Sequence, residues 1–228
     1  MSRYFLRLGE EQLVHGFELV ANWLQSDPDE MERAFGRRDR GERDLYTVDV
    51  LLEVLSDLAR HGEERQLIDG FGRMMAFDAL LGVNDRHPLN WGVVRNSISD
   101  APMAFAPLFD SSRALFWSHS DPALEALDGK GLRAATIRRY ADRSQPLIGF
   151  QRRKRTDSQN HFDVIDFMVS HHYDLVRKSV APVIRAYKPE AAGKRLFRRF
   201  GNLVSRRRLE YVDELLQYRW TRIVAIVS

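Results

Sequence analysis

The chain has 228 residues, 44% of them hydrophobic and 29% charged, with a formal net charge of +3, which predicts one globular domain with a core of its own. It contains no cysteine, and this excludes disulfide bonds, thiolate metal sites and a cysteine nucleophile. No apolar run approaches the roughly 18 residues of a transmembrane helix and no signal peptide is recognisable, so we expect a cytoplasmic protein without a membrane partner.

The spacing of apolar residues predicts helices along most of the chain. The first four are expected over residues 12–24, from Asp27-Pro28 onward, over residues 44–59 and over residues 63–81. Asp27-Pro28 is a helix-start signal, because it joins a capping acid to a proline at the first helical position. Gly82 is expected to end the fourth helix, as glycine often does just past a C-terminus.

A short β-hairpin is predicted after this helix. Residues 90–94 and 103–108 have the composition of strands, and the polar segment 96–102 between them is typical of a turn. Such a hairpin brings Asp110 back towards Asn90. Beyond it we expect a flexible basic loop at residues 149–160 and further helices over residues 132–143, 161–171, 174–186, 189–200 and 205–224.

The residues with catalytic chemistry lie at the two ends of this hairpin, in Asp85-Arg86-His87-Pro88-Leu89-Asn90 and in Phe109-Asp110. Phosphoryl transfer requires positioning and neutralisation of charge rather than covalent chemistry by the protein. Asp85 precedes Asn90 by five positions, the D-x-x-x-x-N spacing of a kinase catalytic loop. Asp85 is therefore predicted to face the acceptor hydroxyl. Asn90 and Asp110 are predicted to offer Mg²⁺ the oxygen ligands that it prefers.

Two further residues of the loop are hydrogen-bond donors. Arg86 is expected to contact the nucleotide and His87 to take part in catalysis or bind phosphate. Two alternatives stay open, since Arg86 could instead pair with a nearby acid and His87 could cap the loop. The spacing of Asp85 and Asn90 is a common pattern by itself. Its place after a long apolar helix, and before an apolar hairpin that ends in Phe109-Asp110, makes it more specific.

Residues 79–92, together with Ala106-Pro107-Leu108-Phe109-Asp110-Ser111-Ser112, resemble the HipA family of bacterial serine/threonine kinases, which belong to toxin–antitoxin modules. In that family the catalytic stretch reads like D-x-H-x-x-N, followed by an apolar hairpin and L-x-P-x-[YF]-D. The resemblance is strong over about residues 65–115 and extends more distantly to phosphatidylinositol kinases. It implies a catalytic base at Asp85, a family histidine at His87, Mg²⁺ ligands at Asn90 and Asp110, and ATP as the second cofactor.

The chain departs from the family where an N-terminal lobe is expected. That lobe carries a glycine-rich loop, a strand lysine for the nucleotide phosphates and a helix glutamate that pairs with it. Only 84 residues precede Asp85, no glycine-rich run occurs among them, and every lysine follows the motif (Lys130, Lys154, Lys178, Lys188 and Lys194). We therefore expect a mainly α fold, a protein-kinase-like C-lobe over residues 1–228 with the N-lobe absent. Residues 1–12 would be a hinge remnant, and residues 85–110 the catalytic loop and metal-binding hairpin.

Three interpretations follow from this departure. In the first, the chain is the C-lobe of a kinase that transfers phosphate from ATP to a protein hydroxyl, and a missing or separate chain supplies the N-lobe. In the second, it is a catalytically inactive kinase-like remnant that binds an antitoxin-like repressor or nucleic acid. In the third, it is a self-sufficient small transferase. Whether the chain alone is an enzyme is left open by the sequence.

Two basic clusters bear on the choice of partner. One is Arg152-Arg153-Lys154-Arg155, and the other comprises Lys194-Arg195, Arg198-Arg199 and Arg206-Arg207-Arg208. Such clusters attract phosphate-bearing partners, so nucleic-acid contact is one expectation. The alternative is an arginine-rich surface that is simply solvated.

Overall fold

The computed structural model describes residues 5–37, 46–58, 64–150 and 159–228. It is mainly helical, with one small antiparallel sheet. The chain divides into two compact units, each built from separate stretches of sequence. Unit 1 comprises residues 1–74, 85–111 and 147–157, and unit 2 comprises residues 75–84, 112–146 and 158–228.

The sheet of unit 1 has three antiparallel strands in the order β1 (Glu11–His15), β2 (Gly92–Asn96) and β3 (Ala104–Phe105). The predicted hairpin is present as β2 and β3. The prediction of a helix from residue 12 was wrong, because Leu13 pairs with Val94 and helix α1 begins only at Gly16. The spacing of Leu13, Phe17 and Val20 fits a helix, yet a strand partner far along the chain decides the conformation of residues 11–15.

Four helices begin in unit 1: α1 (Gly16–Trp23), α2 (Pro28–Arg37), α3 (Val48–Leu58) and α4 (Glu64–Leu81), whose residues 75–81 belong to unit 2. The helix-start signal is confirmed, since α2 begins at Pro28 and the Asp27 carboxylate accepts a hydrogen bond from the Asp29 amide at 2.8 Å. Helix α1 packs against α2, α3 and β1. The core of unit 1 includes Val20, Leu51, Leu55, Phe71 and Val93.

Trp91 connects this core to the loop that precedes β2. Its side chain is 1% exposed, and its indole stacks on Phe105 with ring centroids 5.8 Å apart. A Cβ atom at Gly16 would lie 2.4 Å from the indole, so only glycine fits beside it. The Trp91 Nε1 donates to the Tyr46 hydroxyl at 2.6 Å, and that hydroxyl donates to the main-chain oxygen of Arg86 at 2.8 Å. Core packing thereby fixes the backbone of the loop that carries the predicted catalytic residues.

Unit 2 is helical throughout its described elements. They are α5 (Asp121–Gly129), α6 (Arg133–Arg143), α7 (His161–His171), α8 (Tyr173–Leu175), a π-helix (Val176–Val180), α9 (Ala181–Ala186), α10 (Pro189–Phe200) and α11 (Arg206–Val227). Helix α11 packs against α5, α6, α7, α9 and α10. Helices α6, α7 and α10 follow their predicted bounds closely. Helix α5 was not predicted, although the Ser120 hydroxyl caps its first turn by accepting from the Ala123 amide.

A network of ion pairs joins three helices of unit 2. Arg133 contacts Asp128 at 2.6 Å, Glu214 at 3.0 Å and Glu210 at 3.2 Å. The hydrogen bond from Arg133 is the largest influence on Asp128 and holds the pKa of that carboxyl well below its usual range. These contacts tie α5, α6 and α11 together.

Two predicted segments fall partly or wholly outside the described residues. Of the flexible basic loop at 149–160, residues 151–158 are not described, and neither are residues 1–4 of the predicted hinge remnant. Gly149, at the start of the first segment, forms a parallel bridge with Thr47. In the described ranges, none of the helices is both long and apolar enough to cross a membrane.

Candidate active site

The loop between α4 and β2 carries four of the predicted site residues, Asp85, Arg86, His87 and Asn90, and all of them lie in unit 1. The loop is closed by two hydrogen bonds. The Asn90 side-chain Nδ2 donates to the main-chain oxygen of Asp85 at 2.9 Å, and the Asn90 amide donates to the His87 carbonyl at 2.7 Å. Because Nδ2 is used in this way, Oδ1 is the Asn90 atom that can serve as a ligand for a cation.

Arg86 connects this loop to the end of the hairpin. Its side chain is buried, with 1% exposure. Nη1 donates to the carbonyl oxygens of Asn90 and Phe109, both at 2.8 Å, and Nη2 donates to the Ser111 hydroxyl at 3.1 Å. A planar guanidinium can satisfy several acceptors at once, as a lysine cannot. The two segments that carry Asn90 and Asp110 are thus held by one side chain.

This placement of Arg86 differs from the sequence expectation. A nucleotide contact would require the guanidinium to face an open surface, whereas here its nitrogens donate to acceptors inside unit 1. The structure therefore favours a positioning role for Arg86 over the predicted phosphate contact. Two main-chain carbonyl oxygens and one hydroxyl oxygen are among its partners.

Asp110 follows directly on the hairpin and is exposed. Its backbone has φ +44°, in the left-handed region that aspartate adopts more readily than most residues. The preceding Phe109 is anchored, because its ring stacks on Phe5 at 5.9 Å and meets the ring of His15 edge-on at 6.2 Å. The sharp turn after an anchored aromatic ring leaves the Asp110 carboxylate at the surface.

These residues fit the chemistry of a Mg²⁺ site. One amide oxygen and one carboxylate are hard ligands, and Mg²⁺ needs only one or two protein oxygens beside phosphate oxygens and water. Among the described residues, no group of three or more His, Cys, Asp or Glu is placed to hold a metal. Asn90 and Asp110 offer one amide oxygen and one carboxylate, a combination typical of magnesium sites in nucleotide-binding proteins.

His87 is half-buried, and its Nδ1 accepts a hydrogen bond from the Leu89 amide at 3.3 Å. This contact is the loop-capping arrangement that the sequence left open. The capping bond involves only Nδ1, so Nε2 is the ring nitrogen for a contact with phosphate or substrate.

Val83 and Asn84, the two residues before Asp85, belong to unit 2. Side chains from outside the motif hold them in place there. His161 is 3% exposed; its Nε2 lies 2.9 Å from the Val83 carbonyl and its Nδ1 lies 3.0 Å from the Ser144 carbonyl. The Ser144 hydroxyl donates to the Asn84 side-chain oxygen at 2.6 Å. No local pattern marks His161 or Ser144 as supports of the loop, since each lies far from the motif in the chain.

The buried His161 predicts a specific sensitivity to acid. Burial, aided by the nearby Arg219, lowers the pKa of His161 from 6.5 to about 3. Between these values the unfolded chain binds a proton that the folded chain does not, so stability falls as the pH drops below 6.5. At pH about 4.5 the expected loss is about 2–3 kcal/mol.

Urea unfolding of the wild type and of His161→Gln between neutral and mildly acidic pH measures this loss. The decline should be shallower in His161→Gln. The exposed His171, changed in the same way, should leave the wild-type decline unaltered. Equal declines in all three proteins would contradict a neutral buried histidine at position 161.

No protein-family model matches the chain, and no curated protein matches it either. Among solved structures, the chain is similar to the crystal structure of a Helicobacter pylori proinflammatory kinase, CtkA, with a TM-score of 0.69 and 19% sequence identity. The match covers 96% of this chain and 71% of that one. At this level of identity the likeness concerns the fold, and it shows that the chain has a kinase-like fold.

Proposed function

We propose that this chain is the C-lobe of a HipA-like serine/threonine protein kinase that transfers phosphate from ATP, with Mg²⁺, to a protein hydroxyl. The observation that carries the proposal is the buried Arg86, which holds the Asn90 loop and the Phe109-Asp110 turn together. A kinase requires an amide and a carboxylate on one metal–nucleotide complex, and a guanidinium that binds both of these segments supports such an arrangement. The kinase-like fold supports the same reading.

Each residue of the loop has a proposed part. The Asp85 carboxylate orients the acceptor hydroxyl and takes its proton. Asn90 Oδ1 and the Asp110 carboxylate would hold Mg²⁺, which when bound neutralises the charge on the phosphate oxygens. His87 Nε2 faces phosphate or substrate while Nδ1 accepts from Leu89. Arg86 acts indirectly, by fixing the relative position of Asn90 and Asp110.

We further propose that another segment or chain supplies the lysine and glycine-rich loop that anchor the nucleotide. The support is in the sequence, since all five lysines follow the Asp85 motif and no glycine-rich run precedes it. A protein substrate and an antitoxin-like repressor are the partners that the HipA resemblance implies. The inactive remnant and the self-sufficient transferase are the competing outcomes of the test that follows.

Labelling with γ-phosphate-labelled ATP and Mg²⁺ tests the transfer. The purified chain, alone and mixed with extract of its own cells, is compared with Asp85→Asn, which removes the proposed base but keeps the size of the side chain. We expect labelling of protein hydroxyls to fall about a hundredfold in Asp85→Asn. The exposed Asp100 of the hairpin turn, changed to Asn, is the matched control and should leave labelling unchanged.

The outcome distinguishes the three interpretations. Labelling by the chain alone would identify a self-sufficient transferase, and labelling only with extract would show that the extract supplies the substrate, a separate lobe or both. If the wild type and Asp85→Asn give equal labelling under both conditions, phosphoryl transfer at this loop is contradicted and the inactive remnant is favoured.

A further inference from the structure

Helix α10 in unit 2 presents an unusual row of cations. Lys194, Arg195, Arg198 and Arg199 are all exposed, and their spacing places them on one side of the helix. The other side packs towards α11, where a Cβ atom at Gly193 would lie 2.4 Å from the Asp213 carboxylate. Among the residues that the structure describes, no acid forms an ion pair with any of the four.

The other cations of the same sequence cluster are arranged differently. Arg206 pairs with Glu210 at 3.1 Å, and Arg207 pairs with Asp128 at 3.0 Å. Arg208 pairs with Asp121 at 2.7 Å. Within this sequence cluster, the cations without an ion pair to a described acid are therefore the four of α10. The cluster at residues 152–155 lies outside the described residues.

An apolar turn follows the cations immediately. Leu203 is 75% exposed, Phe200 at the end of α10 is 41% exposed, and Val204 is 37% exposed. We refer to the four cations and these three apolar residues as the α10 tip. Arg198 and Arg199 also complement the negative end of the helix dipole. The helix dipole therefore accounts for Arg198 and Arg199, but it does not account for the exposure of Leu203.

The combination of features decides between two kinds of anionic partner. Nucleic acid uses cations and aromatic faces, and here only Phe200 offers a ring, whereas Leu203, the most exposed of the three, and Val204 offer a base nothing to stack on. The surface of an anionic bilayer uses both features, because cations attract its headgroups while apolar side chains enter the boundary with the acyl chains.

We infer that the α10 tip binds the surface of anionic lipid bilayers, with Leu203, Phe200 and Val204 entering the headgroup layer. The inference is independent of the proposed kinase activity. It departs from the sequence expectation of no membrane partner, because a short apolar turn leaves no hydropathy signal and its exposure is visible only in the folded chain. The binding is peripheral, since none of the helices that the structure describes is long and apolar enough to span the bilayer.

Sedimentation with phosphatidylcholine vesicles, with or without an equal amount of phosphatidylserine, measures the binding. We expect the full chain to bind only the vesicles that contain phosphatidylserine, and more weakly at high salt. Arg198→Glu combined with Arg199→Glu should lower the affinity more than about twentyfold. Leu203→Ser should lower it about tenfold through lost apolar burial.

The control variant makes the same charge change elsewhere in unit 2. Arg177 and Lys178 are exposed beside Asp174, and changing both to Glu should cost far less affinity than the change in α10. If binding depended only on net charge, the two double variants would be weakened equally. That result would overturn the assignment of lipid binding to the α10 tip.

Insertion has its own readout, because the chain contains no cysteine. An environment-sensitive dye on Leu203→Cys should shift to the blue when phosphatidylserine vesicles are added. The same dye on Ile98→Cys, at a residue 71% exposed in unit 1, should not shift. The inference is overturned if phosphatidylserine vesicles do not bind. It is equally overturned if Leu203→Ser binds as the wild type does, or if RNA binds with the α10 cations while the Leu203 dye stays in water.

Discussion

Replacing Arg86 with methionine is expected to lower the free energy of unfolding by about 3–5 kcal/mol. Methionine approximates the length of the side chain but removes a charged donor that serves Asn90, Phe109 and Ser111 inside unit 1. Two main-chain carbonyl oxygens in half-buried positions then lose a charged partner. Hydrogen bonds to charged groups contribute more than neutral ones, and buried acceptors without donors are costly.

Urea denaturation followed by circular dichroism gives the size of this effect. Arg95→Met is the matched control, since Arg95 is an exposed residue of β2 that donates to the Gln12 side chain at 2.7 Å. The control is expected to lose no more than about 0.5 kcal/mol. Arg86→Lys should fall between the wild type and Arg86→Met, because it keeps the charge but not the planar fork. If Arg86→Met is as stable as Arg95→Met, Arg86 does not hold the two segments together.

Replacing Trp91 with alanine is expected to cost about 4 kcal/mol. The indole is 1% exposed, stacks on Phe105, and fills the space left by the missing side chain of Gly16. Its loss also removes the donor to Tyr46, whose hydroxyl in turn donates to the backbone of Arg86. The variant therefore combines a large cavity with a broken hydrogen-bond chain that ends at the backbone of Arg86.

Trp117→Ala provides the control, because Trp117 is 52% exposed and should lose less than about 1 kcal/mol. Trp91→Phe separates the two contributions, since it keeps most of the apolar contact and loses the Nε1 donor. A Trp91→Ala protein that unfolds at the same urea concentration as Trp117→Ala would refute the proposed core around the indole.

Local signals predicted several parts of the fold correctly. Gly82 ends α4 with φ +71°, and Pro28 begins α2. In each case the residue's own conformational preference determines the structure. Sequence pattern is sufficient where the deciding interaction lies within one helical turn.

The features that the sequence did not predict include some that depend on partners distant in the chain. Residues 11–15 form a strand because Leu13 pairs with Val94, a partner that no local window contains. The π-helix at Val176–Val180 interrupts a segment that was predicted as one helix. The burial of Arg86 was not predicted, since the composition of a loop does not reveal whether an arginine points outward or towards backbone carbonyls. Its position depends on Phe109 and Ser111, which the hairpin brings back to the loop.

The central claim is that Asn90 and Asp110 together bind a divalent cation that also contacts nucleotide phosphates. Mn²⁺ tests this claim directly, because it is a paramagnetic substitute for Mg²⁺. Water-proton relaxation is measured for Mn²⁺ and ATP with the wild type, with Asp110→Ala and with the control Asp100→Ala. We expect enhanced relaxation with the wild type and Asp100→Ala, and at least about tenfold weaker binding with Asp110→Ala. If Asp110→Ala enhances relaxation as strongly as the wild type, or if the wild type gives no enhancement, the claim is contradicted.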